Sequence, residues 1–79
     1  SRALQRAKSD LLSGAQIRDA RKSVSELVSS EPGARLEYFE VADSENLNLL
    51  ENVSTSEKPI LCIAGYVGEI RLIDNMFVK

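Results

Sequence analysis

Histidine is absent from this 79-residue chain, and cysteine occurs once, at Cys62. Without histidine the chain by itself can hold no Ser-His-Asp triad, no Cys-His dyad and no His-ligated zinc. A single cysteine excludes an internal disulfide framework and a cysteine-cluster metal site. Glycine is sparse and scattered, at positions 14, 33, 65 and 68, so no glycine-rich phosphate loop is spelled out. Tryptophan is missing, and long hydrophobic runs are missing too. The longest apolar stretch, from Pro59 to Val67, is about half of the roughly 20 residues a membrane-spanning helix needs. The N-terminus is amphipathic and charged, which is not a signal-peptide pattern.

What is present is ordinary globular usage, with 43% apolar residues. The length suits one small domain, residues 1–79, and barely more. A domain of this size buries a little over ~60% of the surface its unfolded chain exposes. With no disulfide or metal, its net core stabilisation is on the order of a few kcal/mol. The chain starts in mid-pattern, with Ser1-Arg2 leading straight into helical periodicity, and reads as a piece of something longer. The net charge of −2 is unevenly spread: residues 1–35 carry +3 and residues 36–79 carry −5. The acidic half would repel phosphates, so nucleic-acid binding is not expected. Arg2, Arg6, Lys8, Arg18, Arg21 and Lys22 read as solvated helix faces.

Leu4, Ala7, Leu11 and Leu12 fall at helical spacing and predict a helix from about residue 2 to 13, stopped by Gly14. Ile17, Ala20, Val24, Leu27 and Val28 form a second apolar stripe, with Asp19 as a candidate N-cap and Pro32-Gly33 as the stop. Leu36–Val41 has strand composition but imperfect alternation: Phe39 and Val41 share one face, Leu36 and Tyr38 the other. Asp43 or Ser44 is then expected to cap a single helical turn over Glu45–Leu50, and a polar loop follows. Ile60–Tyr66 is apolar on both faces, the mark of a central strand. Gly68-Glu69 makes a turn into a last strand that Asp74-Asn75 should end or bend. The expected fold is α+β, with two N-terminal helices packed on a three-stranded antiparallel sheet and a short helical turn after the first strand.

Few residues point to chemistry. Cys62 lies in the most apolar strand and reads as an inert buried thiol. Asp10/Asp19 and Glu40/Asp43 are better read as surface acids than as catalytic pairs, because sequence separation gives neither the geometry nor a raised pKa. Gly68-Glu69-Ile70-Arg71-Leu72-Ile73-Asp74-Asn75 is the most informative stretch. Arg71 is placed to pair across the sheet with Glu37 or Glu40. Asp74 and Asn75 suit a strand end, where short polar side chains bond their own backbone. These three, Arg71, Asp74 and Asn75, are the candidate site residues, and a structural role is expected for them.

Arg71-Leu72-Ile73-Asp74-Asn75, preceded by an apolar strand and Gly68, resembles the closing signature of the pantoate–β-alanine ligases, the pantothenate synthetase family. Leu11-Leu12-Ser13-Gly14 followed by Arg18-Asp19, the strand Tyr38-Phe39-Glu40-Val41-Ala42-Asp43, the segment Ser44-Glu45-Asn46-Leu47 and the stretch Pro59–Tyr66 are similar to that family's elements in the same order. The resemblance runs over essentially the whole chain.

The resemblance implies an ATP-dependent ligase that joins pantoate to β-alanine through an enzyme-bound pantoyl adenylate, with ATP and Mg²⁺ required by the full-length enzyme. It implies a cytoplasmic protein with no membrane or nucleic-acid partner. A larger N-terminal Rossmann-type domain would hold ATP and pantoate and supply the histidine-bearing loop. This chain resembles the smaller C-terminal domain, which closes over the site as a lid. The absent histidine agrees with that. The family's Ser-Ser-Arg nucleotide-contacting stretch lies upstream of the first helix, and Ser1-Arg2 does not match it. No catalytic, cofactor-binding or metal-binding residue is therefore carried onto this chain, and the fragment alone is expected to be inactive. The basic first helix would face the triphosphate in a closed state. The alternatives are a free-standing interaction module and a ligase fused to a nucleotide kinase downstream.

Overall fold

The fold follows from where the apolar stripes can be buried. In the computed structural model, which describes residues 2–79, α1 spans Arg2–Leu12 and α2 spans Ile17–Ser29. Strands β1 (Ala34–Asp43), β2 (Pro59–Val67) and β3 (Ile70–Phe77) form one antiparallel sheet in the order β1-β2-β3. Leu4, Ala7 and Leu11 of α1 and Ile17, Ala20 and Val24 of α2 face Phe39, Val41, Leu61 and Ile63 in one core. The expected two-layer α+β architecture is the one found, with β2 central.

Gly14 adopts φ +99° after α1, a left-handed conformation that a side chain would oppose. The second helix begins earlier than Asp19 suggested: Gln16 is its N-cap, and Asp19 sits in the first turn. There its carboxylate still favours the positive end of the helix dipole. Arg21 pins α2 to β1, its Nε donating to the Phe39 carbonyl at 3.0 Å while its side chain reaches Glu40 at 3.4 Å.

β1 explains its own broken alternation. The register slips between Leu36 and Tyr38, so Leu36 opposes Gly65, Tyr38 opposes Ala64, and Glu37 is the extra residue of a bulge. One inserted residue flips the face of everything before it. Leu36 therefore packs against the same core as Phe39 and Val41, not on the opposite face with Tyr38 as expected.

The helical turn after β1 lies further along than expected, as a 3₁₀ turn over Val53–Thr55 capped by Asn52. Residues 44–46 form a non-helical turn organised by Asp43. Its Oδ1 accepts from the Glu45 and Asn46 amides, and its Oδ2 accepts from the buried Ser56 hydroxyl at 2.7 Å. Leu47, at φ +62°, closes this turn by donating its amide to the Asp43 carbonyl at 2.8 Å. Val78, just past β3, is fully buried, and its amide donates to the Pro59 carbonyl at 3.0 Å.

Candidate functional site

The outer face of the sheet, away from the helices, carries the polar groups that the three strands bring together. The bulge at Glu37 aims its carboxylate across β2 toward β3. Arg71, opposite Tyr66 in the register, meets it with two parallel bonds: Nε donates to Oε1 at 2.8 Å and a terminal nitrogen donates to Oε2 at 2.9 Å. Such forked pairing fixes orientation as well as charge. Arg35 lies over the Tyr66 ring at 4.1 Å from its centroid, in cation–π range. Arg35, Tyr66, Glu37 and Arg71 thus form a strip across all three strands.

Electrostatics follow the contacts. The Arg71 hydrogen bonds hold the Glu37 carboxyl below its ordinary value, with smaller help from Tyr66 and Arg35, and they raise Arg71 in turn. The Ser56 hydroxyl, then the Glu45 and Asn46 amides, lower Asp43. Burial, and secondarily the charge of Glu40, pushes the Cys62 thiol up. A thiol raised in this way is a poor nucleophile. Cys62 is half-buried rather than fully buried, because its side chain points to the outer face with Ile60 and Tyr66, which no layer covers.

The three candidate residues do not converge. Arg71 joins Glu37 on the outer face. Asp74 opposes Ile63 and lies on the helix side; Asn75 opposes Cys62 and lies on the outer side. The strand does not end at Asp74-Asn75: β3 runs on to Phe77, with ladder partners throughout. The Asp74 carboxylate accepts from the Asn75 amide at 2.8 Å, a local bond made inside the strand. Of the two carboxylates offered to Arg71, the register selects Glu37: Arg71 lies opposite Tyr66 and Arg35, beside the Glu37 bulge, whereas Glu40 lies opposite Cys62 and Asn75 and pairs with Arg21 instead. The roles of Arg35 and Tyr66 had no sequence signal, since their meeting depends on strand register alone.

Among the described residues no group of three His, Cys, Asp or Glu side chains is placed to hold a metal ion. Every buried side-chain nitrogen or oxygen among them has a partner. No helix among them is long and apolar enough to cross a membrane. The arrangement can brace a sheet and carry surface charge.

The family model for pantoate-beta-alanine ligase matches residues 1–77. The chain is 38% identical over 63 residues to a pantothenate synthetase of Bacteroides thetaiotaomicron, covering 80% of this chain and 22% of that protein. It has the same identity over the same length with a bifunctional pantoate ligase/cytidylate kinase of Trichodesmium erythraeum, covering 12% of it. The crystal structure of pantothenate synthetase from Thermus thermophilus superposes with a TM-score of 0.82 at 27% identity, over 99% of this chain and 28% of that one.

Proposed function

The chain belongs to the pantoate–beta-alanine ligase family, and we propose that it is the C-terminal lid domain of an ATP-dependent ligase that condenses pantoate with β-alanine through a pantoyl adenylate. It spans about a fifth of the length of the curated relatives it matches, 22% in the Bacteroides proteins.

The observation that carries the reading is this match over nearly the whole chain, which spans only a fraction of each relative. The chain has no histidine, and among the described residues no cluster of three potential metal ligands occurs, which is consistent with pantoate activation lying elsewhere in the enzyme. Among the described residues no cluster of three carboxylates is placed for Mg²⁺, and this reading assigns none of them to ATP. In this reading the preceding Rossmann-type domain holds both, and the chain contributes shape. An acyl adenylate is lost to water unless the site is closed, and a braced two-layer domain can move as one body over it. The Glu37–Arg71 fork and the Arg21 tether would keep that body rigid.

The test is pantothenate formation from ATP, pantoate and β-alanine. The intact enzyme is expected to turn over, and this 79-residue chain is expected to show nothing above background. An enzyme truncated before residue 1 should lose pantothenate formation steeply while losing far less pantoyl-adenylate formation. Product made by the 79-residue chain, or unchanged turnover after its removal, would refute the lid role.

A further inference from the structure

The two edges of the sheet are finished in different ways. β1 is dressed along its free side: Arg21 donates to the Phe39 carbonyl at 3.0 Å, the Leu50 amide donates to the Val41 carbonyl at 2.8 Å, and the Asp43 amide donates to the Asn48 carbonyl at 2.9 Å. β3 is the other edge. The Val78 amide donates to the Pro59 carbonyl, and the register runs from that pair without a slip to Val67 and Ile70. Bonded and non-bonded pairs alternate along an antiparallel ladder. Ile70, Leu72, Asp74 and Met76 therefore bond to β2, and Arg71, Ile73, Asn75 and Phe77 turn their amides and carbonyls away from it. Such a row is a template for another strand.

Most of β3 invites one. The strand is eight residues long and carries no proline, no lysine and no bulge, the usual means of blunting an edge. Its apolar side chains are open on both faces, with Leu72 54% and Ile73 60% exposed. Among the described residues, the contact made to the outward backbone of β3 comes from Asp74, whose Oδ1 accepts from the Asn75 amide at 2.8 Å. Asp74 also stands on the helix side of this edge, opposite Ile63. A charged side chain turned inward on an edge strand opposes the addition of a further strand.

A second copy carries the same open edge, and two copies of β3 related by a twofold axis run antiparallel with their outward groups in register. Two such registers are central. In the one centred on Asp74, the two carboxylates face each other. In the one centred on Ile73, each carboxylate lies against Leu72 of the other copy. Like charges directly opposite are destabilising, and a charge laid against apolar surface loses its water. We propose that Asp74 keeps β3 from pairing with the β3 of a second copy, by occupying the Asn75 amide and by holding a charge on the helix side of the edge. The residue that reads in the sequence as a strand stop then stops the sheet rather than the strand. This concerns association, and it does not depend on the lid role.

The experiment is sedimentation velocity of the intact enzyme over a range of micromolar concentrations, with circular dichroism melts to identify folded variants. Asp74→Ala removes both the bond and the charge. Asp74→Asn removes the charge at the same size, and it decides the question if Asp74→Ala does not fold. The expected result is self-association at least tenfold tighter than the parent's, equivalent to about 1.4 kcal/mol. Ile73→Pro is then added to the associating variant. It deletes an outward amide without taking a bond from the β2–β3 ladder, and proline is tolerated at such an edge position. Association should return to the parent level; Ile73→Lys serves the same purpose if the proline variant does not fold. A folded Asp74 variant that associates no more than the parent overturns the proposal. Association that survives the change at Ile73 also overturns it, because another surface is then responsible.

Discussion

Gly65 is the position where the smallest change should cost the most. It sits opposite Leu36, next to the Glu37 bulge, where the two strands approach closely. A Cβ built there would lie 2.9 Å from the Arg35 carbonyl oxygen, with the Arg35 carbonyl carbon and the Leu36 Cα each at 3.8 Å. The obstacle is backbone, so no side chain can swing aside. Gly65→Ala must displace β1 by several tenths of an ångström at a bulge whose neighbour Glu37 is clamped by Arg71. Overpacking of this kind costs about 1–3 kcal/mol. Removing a glycine from a strand returns about 0.5–1 kcal/mol through lower unfolded-state entropy. The net loss is therefore about 0–2.5 kcal/mol, centred near about 1 kcal/mol. In a domain of this size a loss of about 1 kcal/mol shifts Tm by roughly 4–8 °C, and it removes a large share of a net stability of a few kcal/mol. Thermal and urea melts followed by circular dichroism at 222 nm read it directly. The urea slope should stay constant, which assigns the loss to the folded state. A midpoint equal to or above that of the parent would refute the argument, because it would mean that the strands separate at the bulge without penalty.

Three further outcomes are expected. Glu37 and Asp43 both have folded pKa values below their ordinary 4.5 and 3.8; the stabilisation is complete above those values and lost as pH falls through the folded ones, so the urea midpoint should be flat from pH 7 to 5 and decline below about 4.5, with Asp43→Asn flattening the lower part of that decline. Arg71→Ala should lower Tm only slightly, since exposed pairs contribute little, and the loss should vanish in a Glu37→Ala background; a stability unchanged by Arg71→Ala in this chain, with turnover abolished in the intact enzyme, would instead make Arg71 a ligand contact. Cys62 should react slowly with a maleimide at pH 7 and faster as pH rises through 9, and Glu40→Gln should speed it modestly; rapid labelling at neutral pH would contradict the raised thiol pKa.

Both helices, all three strands and the central place of β2 are legible in the chain itself, because each rests on a local period. The stripe from Ile17 to Val28 can be buried only as a helix, and a strand apolar on both faces, Ile60 to Tyr66, must lie inside a sheet. The Arg-Leu-Ile-Asp-Asn run carried the family likeness without any structure. The rest depended on pairing between distant residues. Asp74 and Asn75 read locally as a stop, yet ladder bonds to Ile63 and Cys62 carry β3 through them to Phe77. Leu36 reads as outward by alternation, and only the slip in register at Glu37 turns it to the core. Both Glu37 and Glu40 are within sequence reach of Arg71; the register decides for Glu37, because Arg71 falls opposite Tyr66 and Arg35 while Glu40 falls opposite Cys62 and Asn75. The half-exposure of Cys62 likewise reflects a sheet with helices on one face only, a fact of layer stacking that no single strand encodes.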